Sequence, residues 1–306
     1  MDRRRSAAIW EGGGGLAPDH LLRAGDPVGE GEGAAFVAEA LMAPLRAAMP
    51  GHEVRTDLFV EGRFDGAGWR ATGGHLLGLW AAPLWGVAPT GRLAYVRFGC
   101  FERLEGGRTA ETLLLLDLAS LLRQAGRWPL AAPPGPDLMA PAPRATGGDA
   151  ATSLQLVEAM IAGLMRYDGR DLASMGMRDF WASGFDWFGP AAIGSFRGHA
   201  DYERGHQGPF LRAFPDRLGG NHRARIAQGS LVASIGWPSI RATHTGDGWL
   251  GLPATGRPVT MRVMDFWRAE GGRLAENWVM IDMVHLLNQL GVDLLAAARD
   301  VGGTNG

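Results

Sequence analysis

Two carboxylates, a few histidines and a set of aromatic side chains are the groups in this 306-residue sequence that could do chemistry. Asp282 sits between the apolar runs VMI and MVHLL. A carboxylate in such company must be paired, hydrogen-bonded or protonated, because an isolated buried charge is too costly. Desolvation raises a carboxyl pKa, which suits a general acid or base near neutral pH. The competing reading is an Asp that caps the strand end or pairs with an arginine. His244, in the Gly/Thr-rich run THTGDG, is the second catalytic candidate, since imidazole titrates near neutrality. Trp187, Phe188, Trp267 and Trp278, with Met280, could form a wall for a flat aromatic ligand, against the commoner role of core packing. His206, on an expected helix, and His222, at an expected strand start, are weaker candidates for the same pocket, and His285 is read as structural. No two histidines have metal-ligand spacing, so no metal is expected. All 30 basic residues are arginine, which excludes Schiff-base chemistry by a lysine. A single cysteine, Cys100, excludes an internal disulfide and a Cys-rich metal site.

The element that must position these groups is a hairpin within Thr255–Gly291. Period-two texture on both sides of Gly271-Gly272 predicts two strands and a tight turn. With a two-residue turn, Glu270 faces Arg273, and Trp267 falls opposite Glu276. One face then carries Met261, Val263, Asp265, Trp267, Glu276, Trp278, Met280 and Asp282. Asp265 lies four residues from Met261, the expected partner of Asp282. At ~3.4 Å per residue that is about 14 Å, too far for a carboxylate dyad, so Asp265 reads as lining the mouth or as salt-bridged structure.

The same stretch occurs twice. Shifted back by 165 positions, it aligns without a gap on Thr90–Gly126, with 17 identities over 37 positions. A duplicated unit of about half the chain follows. The first copy keeps the carboxylate, as Asp117, but has lost both tryptophans and the other Asp. The second copy is therefore expected to be the working one, with Asp117 and His75 as candidates for a second, degenerate pocket.

In chain order, residues 1–33 are Gly-rich and expected to be loosely docked. The first copy is expected over 34–126, beginning with a helix that breaks at Pro44 and followed by strands and a long apolar loop carrying His75. The Pro/Gly-rich run 127–149 reads as a linker. The second copy spans 150–295, with a tail from 296. It opens on a helix in which Thr152 and Gln155 have capping-box spacing. An aromatic strand, a second helix and three strands follow. A net charge of −2 with no long charged run gives no electrostatic case for nucleic acid or an anionic membrane. There is no apolar run of transmembrane length. The composition suits a reducing, cytoplasmic setting.

Helices followed by a strongly curved antiparallel sheet make an α+β fold. The runs GFDWFGPAAIGSFRG, HQGPFLRAFPDR, RATHTGDGWLGLPATGR and MDFWRAEGGRLAENWVMID…LLNQLG resemble the SnoaL-like polyketide cyclases of the nuclear transport factor 2-like superfamily. The resemblance is strong over about 150–295 and weak over 35–130. It implies two tandem cone-shaped α+β barrels, each a sheet wrapped around helices, packed as an internal pseudo-dimer. It further implies a cofactor-independent enzyme that closes an aromatic polyketide ester by intramolecular aldol chemistry. The matching acid/base positions are Asp282 and, in the first copy, Asp117, with His244 assisting. The sequence departs from the family in its tandem form and in having Asn277 where relatives often show His. The expected partner is a small hydrophobic or aromatic molecule. A further homodimer is expected if the second sheet face is exposed. The alternative is a non-catalytic module of the same fold that sequesters such a molecule.

Overall fold

The computed structural model describes residues 6–12, 14–139, 142–144 and 146–301. The remainder of the N-terminal stretch, three linker positions and the end of the tail lie outside the described residues. The chain divides into two compact units. The first comprises Met1–Pro129 with Asp282–Gly306, and the second Leu130–Ile281.

Each unit holds one six-stranded mixed sheet, so the fold is α+β. In the first unit the order is β2-β1-β6-β5-β4-β3: β1 Leu16–Ala24, β2 Glu30–Glu32, β3 Glu53–Phe64, β4 Ala67–Leu79, β5 Leu93–Glu105 and β6 Arg108–Leu116. In the second it is β8-β7-β12-β11-β10-β9: β7 Trp181–Phe188, β8 Ser195–Arg197, β9 Ala224–Gln228, β10 Leu231–Thr243, β11 Pro258–Glu270 and β12 Arg273–Ile281. The sheets are mixed rather than wholly antiparallel because β1 runs parallel to β6, and β7 parallel to β12.

The offset of 165 reaches well beyond the hairpin. It carries the start of β1 onto that of β7, and α1 (Gly33–Phe36) onto α6 (Gly198–Tyr202). It also carries α2 (Ala43–Ala48) onto α7 (Gly208–Ala213), with a π-helical turn between the helices in both copies. Two sequence expectations change here. The N-terminal stretch contributes β1 and β2; Pro18 and the shift between Leu16 and Leu21 had masked a strand whose partner is remote in sequence. His75 lies within β4 rather than in a loop.

The third change concerns register. The turn is as expected, with Glu270 opposite Arg273, but opposite Arg268 and Ala269 the strand β12 carries one extra residue, the bulge Ala275, between Leu274 and Glu276. Beyond it Trp267 faces Asn277, Asp265 faces Val279 and Val263 faces Ile281. Because side chains alternate, a one-residue slip moves a whole strand's side chains to the other face. Asn277, Val279 and Ile281 therefore share the face of Asp265 and Trp267. Glu276, Trp278 and Met280 point the other way. The first copy has the same bulge, between Arg103 and Leu104.

α4 (Ala150–Leu164) is the main helix of the second unit. Its cap is Asp149, whose Oδ1 accepts the Thr152 amide at 2.7 Å, one turn earlier than the expected Thr152 cap. Among the described residues no helix is long and apolar enough to cross a membrane.

Candidate functional site

The cavity of the second unit, about 170 Å³, lies between the β7/β10/β11/β12 face and the helices. β11 and β12 supply its sheet wall with Met261, Val263, Asp265, Trp267, Asn277, Val279 and Ile281. This is the face set by the bulge. α4 contributes Met160, Ile161 and Leu164, and the helical stretch from α6 to α7 contributes Tyr202, His206 and Phe210. His222, Gly219 and Gly220 lie along the loop before β9.

Asp265 is the chemical centre of this wall. Its retained surface opens onto the cavity, whose other walls are largely apolar. Burial pushes its carboxyl up to about 7, against weaker downward effects from the Asn277 hydrogen bond and the Arg225 charge. Asn277 Nδ2 donates to Asp265 Oδ1 at 3.3 Å and to the Phe266 carbonyl at 3.0 Å. The second bond fixes the amide, so its N–H faces the carboxylate. On β10, Ser234 stands opposite both Asp265 and Arg225.

The helical wall is aromatic and uncharged. His206 stacks on Trp187 at 4.4 Å between ring centroids, with planes 19° apart. Burial depresses its imidazole to about 3, so it is neutral at any ordinary pH. Tyr202, one turn earlier, contacts Phe185, Trp187 and His206 with its ring. Burial and the Asp265 charge raise its phenol well above the usual value. His222 is held down to about 4 by burial and by Arg225.

Of the residues singled out in the sequence, Trp187, His206, His222, Asp265 and Trp267 come together around this cavity. Phe188 and Trp278 stack on one another at 5.7 Å on the opposite face of the sheet, which Met280 shares. His244 is wholly buried at the end of β10, beside Phe214 at 5.4 Å and with Nδ1 3.2 Å from Thr255 Oγ1. Asp282 is outside the cavity lining. Its Oδ1 accepts the His285 amide (3.1 Å), capping α8 (Met283–Gln289), and its Oδ2 accepts the Asp26 amide (3.1 Å). Asp117 caps α3 (Leu118–Gln124) through the Ser120 amide and is ion-paired with Arg97. His75 Nδ1 is 2.9 Å from an Asp57 carboxylate oxygen. Asp26, Asp282 and His285 do bring ligand-type atoms within 4.8 Å of one another, but Asp282 already accepts two backbone amides there.

Tyr202, Arg217 and Asn277 were not among the site residues read from the sequence. The i, i+4 pair Tyr202 and His206 on a helix was a signal for the first. Arg217, after Pro215-Asp216, carried none.

Residues 169–290 match the family profile described as SnoaL-like polyketide cyclase. Among solved structures, AclR from Streptomyces galilaeus, described as a candidate hydroxylase, is 25% identical with a TM-score of 0.37; the match covers 47% of this chain and 98% of that one. IdmH from Streptomyces antibioticus, described as a candidate polyketide cyclase, is 28% identical with a TM-score of 0.34, covering 45% and 99%. An NTF2-like protein from Burkholderia xenovorans LB400 is 18% identical with a TM-score of 0.37, covering 47% and 98%. No curated protein matches the chain. The segment 169–290, which carries every sheet residue of the cavity wall, is thus the part of the chain that is similar to the SnoaL-like polyketide cyclases.

Proposed function

We propose that the second unit is a cofactor-independent acid/base catalyst of the cyclase or isomerase type, acting on an apolar carbonyl compound, with Asp265 as the group that moves the proton. One observation carries this reading: a carboxylate with a pKa of about 7 opens into an apolar cavity and is oriented by a fixed amide. A general base is most effective when its pKa lies near the working pH. Asp265, rather than Asp282, takes this role here, because Asp282 is spent on two backbone amides away from the cavity.

Ionised Asp265 removes a proton from the carbon next to the substrate carbonyl. The C–H electron pair becomes the enolate and an O–H bond forms on Asp265. In a ring closure, the enolate carbon then attacks a second carbonyl carbon of the same molecule. A C–C bond forms, the second carbonyl's π pair becomes an alkoxide, and Asp265 returns the proton to it. No oxidant or reductant is needed. The aromatic wall of Trp187, His206 and Trp267 keeps water out and holds the ring in a reactive conformer.

Exchange of the α-protons of cyclohexanone for deuterium in heavy water tests the first step without knowledge of the natural substrate. Asp265→Asn is expected to slow exchange by at least about 100-fold. The wild-type rate should rise with pH and level off above about 7, as the free base is formed. Exchange that survives intact in Asp265→Asn rules the mechanism out.

A further inference from the structure

Resting on that reading of Asp265, we infer that Tyr202 and Arg217 form the subsite that holds the carbonyl oxygen and the negative charge it acquires, and that the buried part of the substrate is a single ring. The argument starts from unspent donors. Tyr202 and Arg217 both line the cavity. The Tyr202 ring is fixed on three sides by Phe185, Trp187 and His206. Among the described residues its hydroxyl has no hydrogen-bond partner. Arg217 is half-buried, and its Nη2 donates to the Leu164 carbonyl at 2.9 Å and approaches Met175 Sδ at 3.9 Å. Its face lies 5.6 Å from the Tyr167 ring centroid. No carboxylate among the described residues pairs with it, and its Nε and Nη1 have no protein acceptor. Other arginines of this unit do have one: half-buried Arg225 has Glu158, and the fully buried Arg268 has Glu276.

A half-buried cation without a counter-ion is costly unless something anionic comes to it. Asp265 is on the sheet wall and is the group that takes the proton. An enolate completes the arrangement, because its charge appears on oxygen only as Asp265 becomes neutral. Tyr202 is held protonated, so it can donate and does not compete as an anion. The other titratable groups facing the cavity, His206 and His222, stay neutral and leave Arg217 as its cation.

Size sets the rest. A cavity of about 170 Å³ is close to the ~150 Å³ that accepts one benzene ring. Further rings must extend beyond the cavity.

The test uses 4-nitrophenol, whose ionised form is coloured and mimics an enolate, with 4-nitroanisole as its uncharged isostere. Wild type should bind nitrophenol as the phenolate at a pH where the free probe is mainly neutral. Tyr202→Phe and Arg217→Met should each weaken phenolate binding about tenfold while leaving nitroanisole binding unchanged, which also shows that the variants fold. Asp265→Asn should bind phenolate at least as well as wild type. The inference fails if bound nitrophenol stays neutral, if both variants bind phenolate normally, or if neither probe binds. It also fails if benzoate alone binds through Arg217, which would make that residue a carboxylate anchor. Phenolate binding with normal cyclohexanone exchange in Asp265→Asn would instead remove Asp265 as the base and leave the subsite standing.

Discussion

The two halves of this chain keep one frame and diverge in what they place inside it. At the constant offset, Asp265 becomes Cys100, Asn277 becomes Thr112, Tyr202 becomes Val37, His206 becomes Leu41 and Arg217 becomes His52. Every member of the second half's polar set is thus replaced. Trp10 stands where the second half has Met175, and it meets Phe98, the counterpart of Val263, edge-on at 5.2 Å. Trp267 becomes Glu102, whose Oε1 accepts the Ala8 amide at 2.7 Å and so ties down the turn that carries Ile9 and Trp10 into the core. A wall residue has become an anchor for filling. Backbone bulges and the π-helical turn survive in the first half, so these are features of the frame rather than of the chemistry.

Transplanting the carboxylate should break this equivalence most severely. Cys100→Asp puts an acid among fully buried neighbours with no counterpart of Asn277. It is expected to cost about 3–5 kcal/mol at pH 8, and less at pH 5, where the acid can stay protonated. Denaturant melts at the two pH values check this. The converse change sharpens the comparison. Folded Asp265 keeps a proton that the unfolded chain releases from about pH 4 upward, so wild-type stability falls between about pH 4 and 7. Asp265→Asn removes that slope. The variant should match wild type near pH 4 and exceed it by a few kcal/mol at pH 8; equal slopes would mean that Asp265 ionises normally. The smallest effect belongs to the capping acids. Asp282→Ala should cost about 1–2 kcal/mol, as for loss of a helix cap, and leave nitrophenol binding in the second half unchanged.

Much of this was legible in the sequence. The repeat, the hairpin turn, the helix–sheet order and the aromatic lining at Trp187 and Trp267 follow from period, glycine placement and composition. The bulge was not, because the one extra residue that β12 carries at Ala275 leaves no compositional mark, yet it decides which side of β12 faces the cavity. It turns Trp278 and Met280 away and brings in Asn277. Asp282 misled for a related reason. Apolar neighbours announce a buried carboxylate but do not say whether it faces a ligand or two backbone amides.

The segment from Asp282 onward belongs to the first compact unit, although it follows the whole of the second along the chain. That unit is therefore discontinuous along the chain, with the whole of the second inserted before its final piece. During synthesis the second unit is complete as soon as Ile281 has emerged, while β1–β6 still await the helix that Asp282 caps and the carboxylate that receives the Asp26 amide. The first unit is finished after the second, and a fragment ending at Pro129 is a body with a missing part rather than a domain.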